Sequence, residues 1–143
     1  MYRLWYTQIS RQETRISNPS SPASEAEGKR VPAIFFRTEG GGEPVRDWLK
    51  GLSAEDRKRI GEDIKTAEFG WPLGMPVYKP LGGGLYEVRT TLSGNRIARV
   101  FFYIDSTGRM VLLHGFIKKT RKTPEKDLNM ARANKRKHER GLA

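Results

Sequence analysis

Apolar and polar positions alternate most regularly over Leu85–Lys118, in three runs separated by short turns. Leu85 to Leu92, Arg96 to Asp105 and Arg109 to Lys118 are rich in β-branched and aromatic residues, with Ser93-Gly94-Asn95 and Ser106-Thr107-Gly108 between them. Such runs joined by Gly-containing turns predict an antiparallel three-strand meander. Upstream, Val31 to Thr38 (VPAIFFRT) reads as a first strand, with Pro32 near its start, where a missing N–H suits an edge. The period then changes. Pro44 opens a helical pattern with Val45, Trp48, Leu49 and Leu52 on one face, broken at Gly51 to Ser53. Ser53 followed by Asp56 resembles a helix cap. Ile60, Ile64, Ala67 and Glu68 continue a second helix to Phe69-Gly70, so the two helices are expected to form an antiparallel hairpin.

Trp71 to Gly84 (WPLGMPVYKPLGGG) breaks every period and reads as a Pro- and Gly-rich connector. Its glycine triplet has no strand before it and no Lys-Ser/Thr after it, which argues against a phosphate-binding P-loop. After the last strand, Thr123-Pro124-Glu125 reads as a helix start with Thr as N-cap and Pro first. That helix continues to about Arg140, with Leu128, Met130 and Ala131 apolar and its end, ANKRKHERG, read as solvated or frayed. Residues 1–30 show no sustained period and are rich in Ser, Pro and Glu. They read as a flexible extension, with a partner-binding arm built on Tyr2, Trp5 and Tyr6 as the other reading, and residues 31–143 form the domain.

Charge changes this picture. The 143 residues carry 27 Lys and Arg against 16 Asp and Glu, a formal net charge of +11. That balance points to a polyanion, most simply nucleic acid or the ribosome. There is no cysteine, which excludes disulfides and thiolate metal sites. No apolar run has the length of a membrane span and no secretory h-region is visible, so a cytoplasmic protein with no membrane partner is expected. The cations cluster where the last strand ends: Met110 to Pro124 (MVLLHGFIKKTRKTP) passes from a buried-strand pattern into Lys118, Lys119, Arg121 and Lys122.

Strand parity places Leu85, Glu87 and Arg89 on one face, and Arg99, Phe101 and Tyr103 on one face of the next strand. Arg89 and Arg99 are therefore expected to share an open face with Tyr103, while Val100 and Phe102 point at the helices. A groove of Arg, Lys and Tyr suits a phosphodiester backbone with stacked bases. His114, inside an apolar strand, reads as a satisfied core histidine ahead of an acid–base group. His138 lies in the charged tail and reads as uninvolved.

GLYEVRTTLSGNRIARVFFYID and GRMVLLHGFIKKTRKTP together resemble the HigB toxins of the RelE/ParE superfamily, in the phage-derived branch, over roughly residues 31–140. The resemblance implies an α+β fold with an N-terminal strand, a helical hairpin, a three-strand meander and a basic C-terminal helix. It implies a type II toxin that cleaves mRNA on the ribosome without metal or cofactor. Its partners would be mRNA, rRNA and a HigA-type helix-turn-helix antitoxin, with operator DNA met only through the antitoxin complex. By similarity to RelE-type sites, Arg89, Arg99, Lys118 and Lys119 are the catalytic candidates. Lys79, Glu87, Arg96, Tyr103, His114, Arg121 and Lys122 are the candidates for binding RNA. Glu87 stands where RelE-like members carry a lysine, which leaves the general base unassigned, and the last helix has no substrate-stacking tyrosine. On the same fold, a ParE-like gyrase poison or a non-enzymatic regulator acting with its antitoxin are the competing functions.

Overall fold

A computed structural model describes residues 30–72, 78–118 and 122–142. The extension at 1–29, with Tyr2, Trp5 and Tyr6, lies outside the described residues, as do Lys119 and Arg121. The elements run β1 (Ala33–Phe35), α1 (Pro44–Lys50), α2 (Ala54–Gly70), β2 (Tyr78–Gly82), β3 (Leu85–Leu92), β4 (Arg96–Ile104), β5 (Met110–Lys118) and α3 (Glu125–Leu142).

The fold is α+β, and β3, β4 and β5 form the expected antiparallel meander. The sheet is larger than that meander: five strands in the order β1-β5-β4-β3-β2, with β1 parallel to β5. The connector expected at Trp71–Gly84 is thus corrected, because Tyr78–Gly82 pairs with β3 as an edge strand. An edge tolerates Pro80. Gly82, Gly83 and Gly84 all take positive φ, which lets the chain reverse directly into β3.

Side chains of opposite parity build two separate cores. One face packs against α1 and α2 through Ala33, Val88, Val100, Phe102 and Leu112, meeting Leu49, Ile60 and Ile64. Trp71, Tyr78, Tyr86 and Phe102 interlock there, with Trp71 and Tyr78 stacked at 5.2 Å and Tyr86 and Phe102 at 5.5 Å. Ser53 caps α2 as expected, its hydroxyl accepting from the Asp56 N–H at 3.1 Å. The other face packs Leu85, Phe101, Val111 and Leu113 under Ala131 and Leu128 of α3.

The second face therefore departs from the expectation of an open groove. The C-terminal segment stays helical to Leu142 and lies over it, rather than fraying. Asp127, Ala131 and Asn134 are buried and His138 partly so, at spacings that form one inward stripe. The helix start differs slightly too: Pro124 carbonyl oxygen accepts from the Leu128 N–H, and Thr123 turns its hydroxyl to the sheet.

Candidate functional site

The α3-facing side of the sheet is where the sequence candidates meet. Register sets Lys79 beside Glu87, Arg89 beside Arg99, and Arg99 beside Phe116. Lys118 follows two residues beyond Phe116 on the same face. Glu87 and Arg99 are fully buried, at 0% and 1% exposure, and paired through Arg99 Nη1 at 3.3 and 3.4 Å from the two carboxylate oxygens. Arg99 Nη1 also donates to Thr123 Oγ1 at 3.0 Å. Arg89 is the exposed member of this group, its Nε 3.6 Å from Glu87 Oε2.

This corrects the placement of Arg99. Parity put it on the right face, but Glu87 and the entry to α3 enclose it. Its charge is spent on Glu87, whose other neighbour is Arg89. One carboxylate holding two guanidiniums leaves the group a net +1, and the exposed share of that charge is on Arg89. By register Lys79 stands beside Glu87 on β2 and Lys118 two residues beyond Phe116 on β5, on either side of the Arg89–Arg99 pair, and exposed Lys122 precedes Thr123.

Two other candidates are placed elsewhere. Arg96 lies on the opposite face, three residues before Arg99 and so of opposite parity, with Nη1 2.7 Å from Asp56 Oδ2 of α2. That hydrogen bond chiefly holds the Asp56 carboxyl below its ordinary value. Tyr103 shares the α3 face but is buried, its hydroxyl 2.5 Å from His138 Nδ1 and the Lys135 ammonium 5.1 Å above its ring. Burial pushes the phenol up to about 12 and pushes the His138 imidazole down. An aromatic ring so covered offers no platform to a base.

His114 is a satisfied, mostly covered histidine, and the β5 bulge decides which face it occupies. The β4–β5 register slips between Phe101 and Phe102, so Leu113 is an extra residue on β5. Leu113 packs with the α3-side core, and after the bulge His114 pairs with Phe101 on that same side. Gly115 then falls under Trp48 on the hairpin side, where a Cβ would come within 2.5 Å of the indole. His114 Nε2 lies 2.6 Å from Asp127 Oδ1. Asn134 donates to the carbonyl of the bulged Leu113 at 2.9 Å, satisfying the group that the bulge removes from the ladder.

Thr123, Asp127, Asn134 and His138 were not singled out by the sequence as site residues. The signal was their spacing: Asp127, Ala131, Asn134 and His138 recur on one helical stripe, so polar side chains lie on the buried face of α3. Among the described residues, no three His, Asp or Glu side chains gather in a way that could hold a metal ion. None of the described helices is long and apolar enough to cross a membrane.

Fold and site define a small basic α+β protein with a cation-rimmed sheet face. Residues 47–136 match the family described as "Phage derived protein Gp49-like (DUF891)", and the chain belongs to that family. The family is part of the RelE/HigB-like group of toxins from toxin–antitoxin systems. No curated protein matches the chain.

Proposed function

We propose that the protein is the toxin of a HigB-type pair, a cytoplasmic endoribonuclease that cleaves mRNA on the ribosome. Its antitoxin is a HigA-type helix-turn-helix protein, and operator DNA is met only in their complex. The observation that carries the reading is the exposed Arg89, its Nε 3.6 Å from buried Glu87, on the sheet face that also carries Lys79 and Lys118. Attack of a ribose 2′-hydroxyl on its own phosphate builds negative charge on a pentacoordinate phosphorus, and preorganised cations in a partly dry site stabilise it. Lys119 and Arg121 extend the same cationic segment along the chain. Arg99 acts one layer down, as the buried counter-ion that keeps the Glu87 carboxylate in place. Removing it leaves Glu87 to collapse onto Arg89.

The test is cleavage of a defined mRNA in EDTA by purified protein, with and without 70S ribosomes. Arg89→Ala is expected to lower ribosome-dependent cleavage by roughly 10²-fold or more, the scale of losing one preorganised charge donor. Cleavage that is absent with ribosomes, together with inhibition of gyrase supercoiling, overturns the reading in favour of a gyrase poison.

A further inference from the structure

Metal-free cleavage by a 2′-hydroxyl needs a group that takes a proton near neutral pH. The described residues narrow the choice by exclusion. Glu87 is fully buried and engaged with two arginines, and Tyr103 is buried with its hydroxyl on His138. His138 packs towards the far end of α3, with Asp105 3.8 Å from its Nε2. The chain has two histidines and no cysteine, and among the described residues His114 is the imidazole on the face that carries Arg89 that is not engaged with Tyr103.

We infer that His114, turned onto the charged face by the Leu113 bulge and fixed there by Asp127, is the acid–base catalyst of the site. The inference rests on the ribonuclease reading above and names the base that reading lacks. Three observations converge. The bulge is what moves the side chain: with unbroken alternation, His114 would share the hairpin face with Met110 and Leu112. Bulges of this kind re-aim side chains beside active sites. Asn134, itself buried, is committed to the bulge carbonyl, so the fold maintains the irregularity. The bond to Asp127 then sets the tautomer. Asp127 Oδ1 accepts from Nε2–H, which leaves Nδ1 as the unprotonated nitrogen.

The geometry also ties this pair to the cationic group. Thr123, bonded to Arg99, stands four residues before Asp127, so the start of α3 reaches the sheet at both points. The His114 side chain keeps 21% exposure while that of Asp127 keeps 8%, the arrangement of a reacting group in front and an orienting group behind. Asp127 Oδ2 is buried with no hydrogen-bond partner among the described residues, so the carboxylate has spare capacity to stabilise an imidazolium. In the step itself, the 2′-oxygen bonds to phosphorus as its proton passes to His114 Nδ1. The P–O5′ bond breaks with its electron pair on O5′, which takes a proton from water. The products are a 2′,3′-cyclic phosphate and a 5′-hydroxyl.

The experiment is the pH dependence of single-turnover mRNA cleavage on 70S ribosomes, for wild type, His114→Gln, Asp127→Asn and His138→Gln. Wild type is expected to lose rate below neutrality as one group protonates. His114→Gln should fall by roughly 10²–10⁴-fold and lose that limb. Asp127→Asn should lower the rate by roughly tenfold or more by releasing the imidazole that Asp127 holds, and His138→Gln should retain both rate and limb. Asp127→Asn is close to isosteric, so its rate reports on the pair even if His114→Gln fails to fold. Wild-type cleavage with an unchanged rate and limb in His114→Gln overturns the inference and leaves the ribonuclease reading standing. So does an unchanged rate in Asp127→Asn. Wild type inactive on ribosomes removes both together.

Discussion

The two faces of the sheet are built from the same strands and obey opposite rules. Phe102 and Phe101 are neighbours in β4, yet one is locked among Trp71, Tyr78 and Tyr86, and the other lies in the layer that carries Glu87, Arg99 and His114. The hairpin face is sealed by shape, with Gly115 left bare so that Trp48 can lie on the backbone. The α3 face has its own apolar core, Leu85, Phe101, Val111 and Leu113 under Ala131, and adds polar pairs around it: Arg99 with Glu87 and Thr123, His114 with Asp127, Tyr103 with His138. Burying apolar surface is favourable wherever it occurs. Burying ions is favourable only against the worse outcome of leaving one alone. The α3 face therefore spends part of the stability its apolar core supplies to hold charges in place.

The largest effects should come from breaking each face by its own rule. Phe102→Ala removes a ring from the aromatic cluster and is expected to cost about 3–5 kcal/mol in urea unfolding. Arg99→Leu removes the enclosed partner of the buried Glu87 carboxylate, leaving it only the exposed Arg89, and should cost a similar ~3–5 kcal/mol. The two losses differ in what repairs them. Adding Glu87→Leu to Arg99→Leu should recover most of the stability, because the stranded charge is gone, while activity stays lost. A double variant as unstable as Arg99→Leu alone would mean that the pair is held by packing, and the contrast between the faces would fail.

The comparison also shows what was legible in the sequence. Alternation is local, so the meander, its turns and the division of β3 and β4 into two faces could be read directly. Alternation does not say what covers a face. Arg99 was placed with Arg89, but its burial depends on Thr123 and α3, many residues away in sequence. β2 was hidden because Tyr78–Gly82 contains a proline and a glycine and is defined by its pairing with β3. The parallel β1–β5 contact is likewise non-local. The face His114 takes was not legible for a different reason: one extra residue in β5 inverts every parity after it, and nothing in LLHGF marks the bulge. Charge concealed the role of α3, since Lys and Arg on its outer side masked the inward stripe of Asp127, Ala131, Asn134 and His138.

Glu68 sharpens the comparison with a smaller effect. It is a carboxyl on the hairpin side, fully buried on α2, accepting from the Ala33 N–H that begins β1. Burial pushes it up to about 9 from an ordinary 4.5, so near neutral pH it is held as the uncharged acid. The hairpin face thus tolerates a carboxyl by neutralising it, where the α3 face keeps its carboxylates paired. A folded-state pKa above the unfolded one gives stability that is complete below about 4.5 and drains away as pH rises to about 9. The slope is roughly 1.4 kcal/mol per pH unit at most. Glu68→Gln retains an acceptor for Ala33 and carries no proton linkage. It should match wild type near pH 4 and exceed it by about 1–3 kcal/mol at pH 8. Equal stabilities at both pH values would show that Glu68 is ionised in the fold.

Arg96 gives the smallest effect and the cleanest separation of the faces. It stands three residues from Arg99, and odd spacing sends the two guanidiniums to opposite sides. Arg96 keeps 30% side-chain exposure and binds Asp56 of α2, with Ser93 as a second partner. A partly exposed pair of this kind contributes at most about 1 kcal/mol. Arg96→Ala should therefore lower stability by less than that at neutral pH. Because Arg96 depresses the Asp56 carboxyl, the difference should shrink as pH falls through that lowered value, where Asp56 protonates in both proteins. Ribosome-dependent cleavage should stay near wild type, since Arg96 faces the hairpin and not the cationic rim. An Arg96→Ala loss as deep as that of Arg89→Ala would place RNA on the hairpin side, and the assignment of chemistry to the α3 face would have to be reversed.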